Sequence, residues 1–422
     1  MLMRIFAEKK YFRVAAIAAV ILICGMIFAA SFSRKTVGTE TEAAALQLLT
    51  TGIPVTVDPQ LLQPSAAQTL PAVPESEPAA QSEAVPAADS SASPQPSVPA
   101  ASVSTYIFPT INDVAYPDLP AFPQMPTIEV SPDTFVFITY GHGHGVGMSQ
   151  CGAIAFSRHG YDFVNILAHY YPGVSFMVDS APPEFSSTYT GEVVKTFELV
   201  CRVVQNEMGW LAKGDREALK AQAVAVYTQL RKYGYQIPNK HSMAIAADMS
   251  KVNADVLAAV TETYGIFMTY NGDTVNATFY TNSAGVTAAG YSIWGVDTPY
   301  LRPVTSYYDW DVYTYSGYAN LINVKSFTSA EMREHILKYD SKINLGPDPA
   351  TWLQVLAHDK ALSPEIGYMT AIRIGDRILT ERDSAGEVFR LKVMNLAIKS
   401  PCFSLIYFDS NMTAHNLGAV MG

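Results

Sequence analysis

The stretch "TFVFITYGHGHGVGMSQCGA" (Thr134–Ala153) sets the reading of this chain. "TFVFITY" alternates well enough for a β-strand that ends at a glycine loop. Met148 to His159 then reads as a helix, closed by Gly160 as a C-terminal cap. "YDFVNILAHYYPG" continues as another short helix, stopped at Pro172-Gly173. Three physical readings compete for the loop. His142 and His144 could ligate a metal, but no acidic or cysteine partner stands at a recognisable spacing. A phosphate cradle needs a βαβ context or a P-loop Lys-Ser/Thr pair, and both are missing. The third reading is a close-packed turn, whose glycines let backbone and imidazoles approach a ligand or another strand.

Outward from this stretch, the chain of 422 residues is uneven. Val14 to Phe32 is an uncharged apolar run long enough to span a bilayer as a helix. Arg4, Lys9, Lys10 and Arg13 precede it, and Arg34 and Lys35 follow, which puts the N-terminus in the cytoplasm. A cleaved signal peptide is the alternative, since "FAAS" offers small residues near the run's end. From Pro54 to Pro126 the composition turns to Pro, Ala, Ser, Gln and Glu, with 15 of the chain's 26 prolines, which excludes regular structure. The expected layout is therefore a cytoplasmic N-terminus (1–13), a transmembrane helix (14–32), a disordered linker (33–130) and a folded extracytoplasmic region (131–422). A net charge of −10 offers no footprint for nucleic acid. Cys24 falls in the apolar run. Cys151, Cys201 and Cys402 show no CxxC spacing, so neither a zinc ribbon nor a disulfide framework is supported.

Within the folded region, "GEVVKTFELVCRVVQNEMGWLAKGDREALKAQAVAVYTQLRKYG" (191–234) carries two helices. The first places Phe197, Val200, Val203, Val204 and Glu207 on one side. The second runs from Asp215 to Gly234. "YGIFMTYNGDTVNATFYTNSAG" reads as a hairpin with a type I′ turn at Asn271-Gly272. Thr328 and Glu331 form a capping-box pattern. "YMTAIRIGDRILTE", "EVFRLKVM" and "CFSLIYFD" read as further strands. The order is mixed rather than βαβα, which implies an α+β fold of packed helices and antiparallel sheet.

Glu207 is the sharpest chemical candidate. A carboxylate continuing an apolar stripe loses hydration, which moves its pKa toward that of a general acid. The plainer reading is a helix-end Glu that reaches solvent. Asp215 and Glu217 are candidates for a second carboxylate, but fit a cap and a first-turn acid better. Lys220 and Gln222 are ordinary helix formers on this level. Ser283, in the loop "TNSAGVT", has no His and Asp partners at a diagnostic spacing.

Several blocks together resemble the stage II sporulation protein D / amidase-enhancer (SpoIID/LytB) family. "VVQNEMGWLAKGDREALKAQAVAVYT" looks like its catalytic block, "TNSAGVTAAGYSIWGVDTPYLRPVTSYYDW" like its serine-glycine block, and "GHGHGVGMSQCGAIAFSRHGYDFVNILAHYYPG" like its glycine-histidine block. In the family the glycine-histidine block comes last, whereas here it comes first. "AHNLGAVMG" reads like a decayed copy of it. The resemblance therefore implies a circular permutant, in which "TFVFITY" pairs beside "CFSLIYFD" or the hairpin strands. It also implies a membrane-anchored lytic transglycosylase acting on peptidoglycan glycan strands, with Glu207 as its single acid/base. His142, His144, Ser149, Gln150, Lys220, Gln222, Tyr227, Thr281 and Ser283 would line the glycan groove. No metal or other cofactor is expected, because "NKHSMAIAADMSKV" lacks the cysteines of the zinc site in some members. A cell-wall amidase and membrane sporulation proteins are the implied partners. Two departures stand out: the family's Arg is Tyr227 here, and "SSGG" has become "NSAG". They leave open a binding-only glycan module or amidase enhancer without turnover.

Overall fold

The computed structural model describes residues 108–111, 128–179, 184–186, 193–235, 245–246, 248–283, 285–312, 321–359 and 367–418. The expected transmembrane helix and nearly all of the expected linker lie outside them. Among the described residues no helix is long and apolar enough to cross a membrane.

The fold is α+β. Strand β1 (Thr134–Tyr140) leads through the glycine loop to β2 (Met148–Ser149) and helices α1 (Gln150–Arg158) and α2 (Phe163–Tyr170). Strands β3 (Ser175–Val178), β4 (Glu184–Ser186) and β5 (Val193–Lys195) precede α3 (Thr196–Val204), which runs into a π-helical turn at Gln205–Gly209. Then come α4 (Arg216–Lys232), α5 (Ala254–Thr263), β6 (Ile266–Tyr270), β7 (Asp273–Thr274) and β8 (Phe279–Tyr280). Short helices α6 (Gly290–Trp294) and α7 (Asp309–Val312) follow, then β9 (Ile322–Thr328) and α8 (Ser329–Tyr339). The last elements are β10 (Leu353–His358), β11 (Met369–Ile374), β12 (Arg377–Leu379), α9 (Ala385–Val388), β13 (Phe403–Phe408) and β14 (Ala414–Asn416).

The central sheet has the order β14-β13-β1-β9. β1 is antiparallel to both neighbours, with Thr134 opposite Phe408 and Thr139 opposite Phe403 on one side, and Phe135 opposite Phe327 on the other. Every residue of β1 is buried, so the strand is covered on both faces rather than half-exposed as alternation suggests. Phe135 and Phe137 enter a core with Phe327, Trp352, Phe389 and Phe403.

Local signals explain most boundaries. Helix α1 starts at Gln150 rather than Met148, because Ser149 caps it by accepting from the Gly152 N–H at 3.1 Å. Both residues of the Asn271-Gly272 turn have positive φ, 50° and 88°, as a type I′ turn requires. β8 leaves that hairpin and pairs in parallel with β2. The capping box at Thr328 and Glu331 is formed. "EVFRLKVM" is helical, through α9 and a π-helical turn at Phe389–Val393, and not the expected strand. Phe389 and Val393 are one turn apart and buried in the core, and the Glu387–Arg390 ion pair closes at i,i+3, so tertiary packing overrides the alternation.

Candidate functional site

The site is assembled where the glycine loop, the start of α1, the end of α3 and the 278–310 segment meet. The loop is stitched to that segment by backbone bonds. The His142 N–H donates to the Asn282 carbonyl at 2.8 Å, Ala288 N–H to the Gly145 carbonyl at 2.7 Å, and Cys151 N–H to the Thr281 carbonyl at 2.9 Å. Gly145 and Gly147 have positive φ, and a Cβ on them would collide with the Tyr368 ring and with the Thr278 carbonyl. Only glycine permits that approach.

Glu207 sits on the π-helical turn, half-buried, and its Oε2 accepts from Gln150 Nε2 at 3.2 Å. The expected stripe thus ends on a π-helical turn, and such single turns recur at functional sites. Asn253, the N-cap of α5, holds it: its Nδ2 donates to the Gly209 carbonyl and its backbone N–H to Gln205 Oε1, both at 2.8 Å. Trp210, directly after the turn, is 48% exposed.

Beneath this pair lies a buried polar knot. Asp309 is 0% exposed. Its Oδ1 accepts from the Ser149 hydroxyl and its Oδ2 from the Ser283 N–H, each at 2.9 Å. The Ser283 Oγ accepts from Gly285 N–H at 3.0 Å, and Tyr170 and Ser306 share a hydroxyl contact at 2.5 Å. Burial pushes the Asp309 carboxyl up to about 7, against the hydrogen bonds from Ser283, Ser149 and Ser306 that pull it down. His144 lies between Tyr280 and Trp294, and its Nδ1 accepts from the Val146 N–H at 3.1 Å. Burial lowers its pKa to about 4, which keeps the imidazole neutral at pH 7.

The candidates named from sequence are thus distributed. Gln150 reaches Glu207. Ser149 and Ser283 meet at Asp309, and Thr281 contributes its carbonyl to the start of α1. Lys220 is turned to Glu217 and Glu262, at 2.7 and 3.0 Å. Asp215 is paired bidentately with Arg158. Gln222 is 0% exposed, and neither side-chain amide atom has a hydrogen-bond partner among the described residues. Tyr227 donates to Asp179 Oδ2 at 2.9 Å, alongside Tyr235 and Arg231, in a cluster of its own. Cys151, Cys201 and Cys402 are buried free thiols. Asp309 is not among the residues that sequence singles out. It stands in the stretch "VTSYYDW" that closes the serine-glycine block, whose Val-x-Ser and Asp ending belongs to the resemblance but says nothing about burial.

No family model matches the chain. Over 100 residues, 24% of the chain, it is 34% identical to the amidase enhancer of Bacillus subtilis (strain 168). The match spans 14% of that protein, so the likeness to a SpoIID/LytB-type protein is a partial one.

Proposed function

We propose that this chain is a membrane-anchored, extracytoplasmic lytic transglycosylase of the SpoIID/LytB type, cutting denuded peptidoglycan strands in sporulation or cell-wall remodelling. The observation that carries the reading is the hydrogen bond from Gln150 to Glu207. It brings the glycine-histidine segment onto the carboxylate of a different segment, and the partial likeness to the amidase enhancer agrees with a role at the cell wall. Glu207, protonated, gives its proton to the oxygen between N-acetylmuramic acid and N-acetylglucosamine as that bond breaks with oxocarbenium character. The resulting carboxylate takes the proton of the sugar's own 6-hydroxyl, and O6 closes on C1 to a 1,6-anhydro ring. Water is not consumed, and a single carboxylate suffices. Cell-wall amidases that strip stem peptides would supply the substrate.

The permuted order is part of the proposal. Its support is the β1–β13 pairing, with the Asp133 N–H donating to the Asp409 carbonyl at 3.4 Å. The end of β13 lies opposite the start of β1, as the two strands of a hairpin would if the unpermuted order joined them. A chain rearranged to carry residues 132–173 after Asp409 through a short linker, in place of β14, should then still fold cooperatively, with a lower thermal transition because β14 and Leu417 leave the sheet and core. Failure of that rearranged chain to fold would count against permutation.

The test of function is digestion of denuded glycan strands by the full chain, read by mass spectrometry. Anhydro-muramic ends that vanish in Glu207→Gln are expected. Ordinary reducing ends would mean hydrolysis and sink the mechanism. Strand binding without any product would favour a glycan-binding amidase enhancer, the reading that Tyr227 supports by standing, tied to Asp179, where the family has an arginine.

A further inference from the structure

We infer that Asp309 is a positioning residue for Glu207: its two carboxylate oxygens hold Ser149 and Ser283, and so fix the end of α1 from which Gln150 reaches the acid. The kinetic consequence rests on the reading of Glu207 as acid/base. The geometric part does not.

The chain of contacts is short. Ser149 Oγ accepts from the Gly152 N–H and donates to Asp309 Oδ1. It therefore caps α1 and anchors it at once. Gln150 is the first residue of that helix, and its Nε2 meets Glu207 Oε2. A rotation of the cap would swing the amide off the carboxylate. The other oxygen of Asp309 receives the Ser283 N–H, which holds the 281–283 stretch in the same place. Thr281 in turn holds α1 through its carbonyl, which accepts from the Cys151 N–H.

The knot has no slack. A Cβ at Gly152 would strike the Tyr170 hydroxyl and stand 2.6 Å from both Asp309 Oδ1 and Ser306 Oγ. Asp309 itself is 0% exposed with both oxygens engaged, so it has no path to a substrate. It acts through Gln150. Asparagine keeps the shape of this side chain but turns one acceptor oxygen into an N–H donor, so one of the donors now facing Asp309 must give up or reverse its bond.

The test uses the full chain with 15N-labelled glutamine, in the Asp309→Asn, Ser149→Ala and double variants. The Gln150 side-chain amide resonance is identified by its loss in Gln150→Ala. Both single variants should shift that resonance. They should also lower kcat about tenfold or more while KM changes by less than about threefold, since a small misplacement acts on the chemical step. The double variant should be no worse than the poorer single one. An unmoved Gln150 resonance in folded Asp309→Asn, or losses that simply add, overturns the inference. Should Asp309→Asn not fold, Ser149→Ala decides by the same resonance. A wild type that forms no anhydro product defeats the proposed reaction, and the resonance alone then decides the positioning.

Discussion

Around β1 the chain buries rings, and a few residues later, around the start of α1, it buries hydroxyls and a carboxylate. Phe137 has ring centroids at 5.5 Å from Phe403, 5.8 Å from Phe327 and 6.1 Å from Phe389. Ser149, Ser283, Ser306 and Asp309 are equally inaccessible and hold one another by directed hydrogen bonds. Ring packing is non-directional and indifferent to pH, so it carries stability. A buried carboxylate opposes folding unless it is satisfied, so its value lies in geometry. The largest expected effect separates the two regions. Phe137→Ala should cost about 3–5 kcal/mol in a urea unfolding curve, as large aromatic truncations in full cores do. A loss below about 1 kcal/mol would mean that the sheet is not the stabilising half.

That asymmetry also explains what could be read before the structure. The strands "TFVFITY" and "CFSLIYFD", the type I′ turn at Asn271-Gly272 and the capping box at Thr328 rest on local rules, and each is found. The segment "EVFRLKVM" carries an alternation as good as theirs, and packing of Phe389 and Val393 one helical turn apart defeats it. The site was legible in pieces. Glu207 and Gln150 stood out by motif, but their contact joins residues 57 apart in the sequence. Asp309 reaches Ser149 across 160 positions, and no local pattern encodes such a meeting.

A second expected effect concerns pH. Asp309 has a folded-state value of about 7, above the ordinary 3.8. Its contribution to stability is therefore present at low pH and is lost as pH rises through about 7. His144 runs the other way: its folded value of about 4 lies below 6.5, so its contribution is present above 6.5 and lost as pH falls through 4. Asp359, raised by burial to about 6, has the sign of Asp309, and His169, lowered by burial, that of His144. Between pH 4 and 6.5 the opposing slopes mask each other. Each is at most about 1.4 kcal/mol per pH unit. Unfolding measured across that window should show stability rising more steeply with pH in Asp309→Asn than in wild type. In His144→Phe it should fall more steeply. Parallel curves for both variants and wild type would show that neither group titrates in the folded protein as its burial requires.

The smallest effect sharpens the comparison within the polar groups themselves. Asp179 Oδ2 receives the Tyr227 hydroxyl, the Tyr235 hydroxyl and Arg231 Nε, each at 2.9 Å. Burial raises the Tyr227 pKa, so the phenol remains a donor at any working pH. Tyr227→Phe removes one donor and leaves the carboxylate paired with the guanidinium. No buried acceptor is orphaned, and the ring keeps its packing against Tyr264. The loss should sit at the low end for a hydrogen bond, about 0.5–1 kcal/mol. At Asp309 the donors spread over both oxygens and come from separate segments, Ser149 at Oδ1, Ser283 at Oδ2 and Ser306 besides, so losing one releases a segment. A thermal or urea measurement giving Tyr227→Phe a loss above about 2 kcal/mol would show that the three donors are not interchangeable. The Asp179 cluster would then be a directed knot like that at Asp309, rather than a carboxylate with donors to spare.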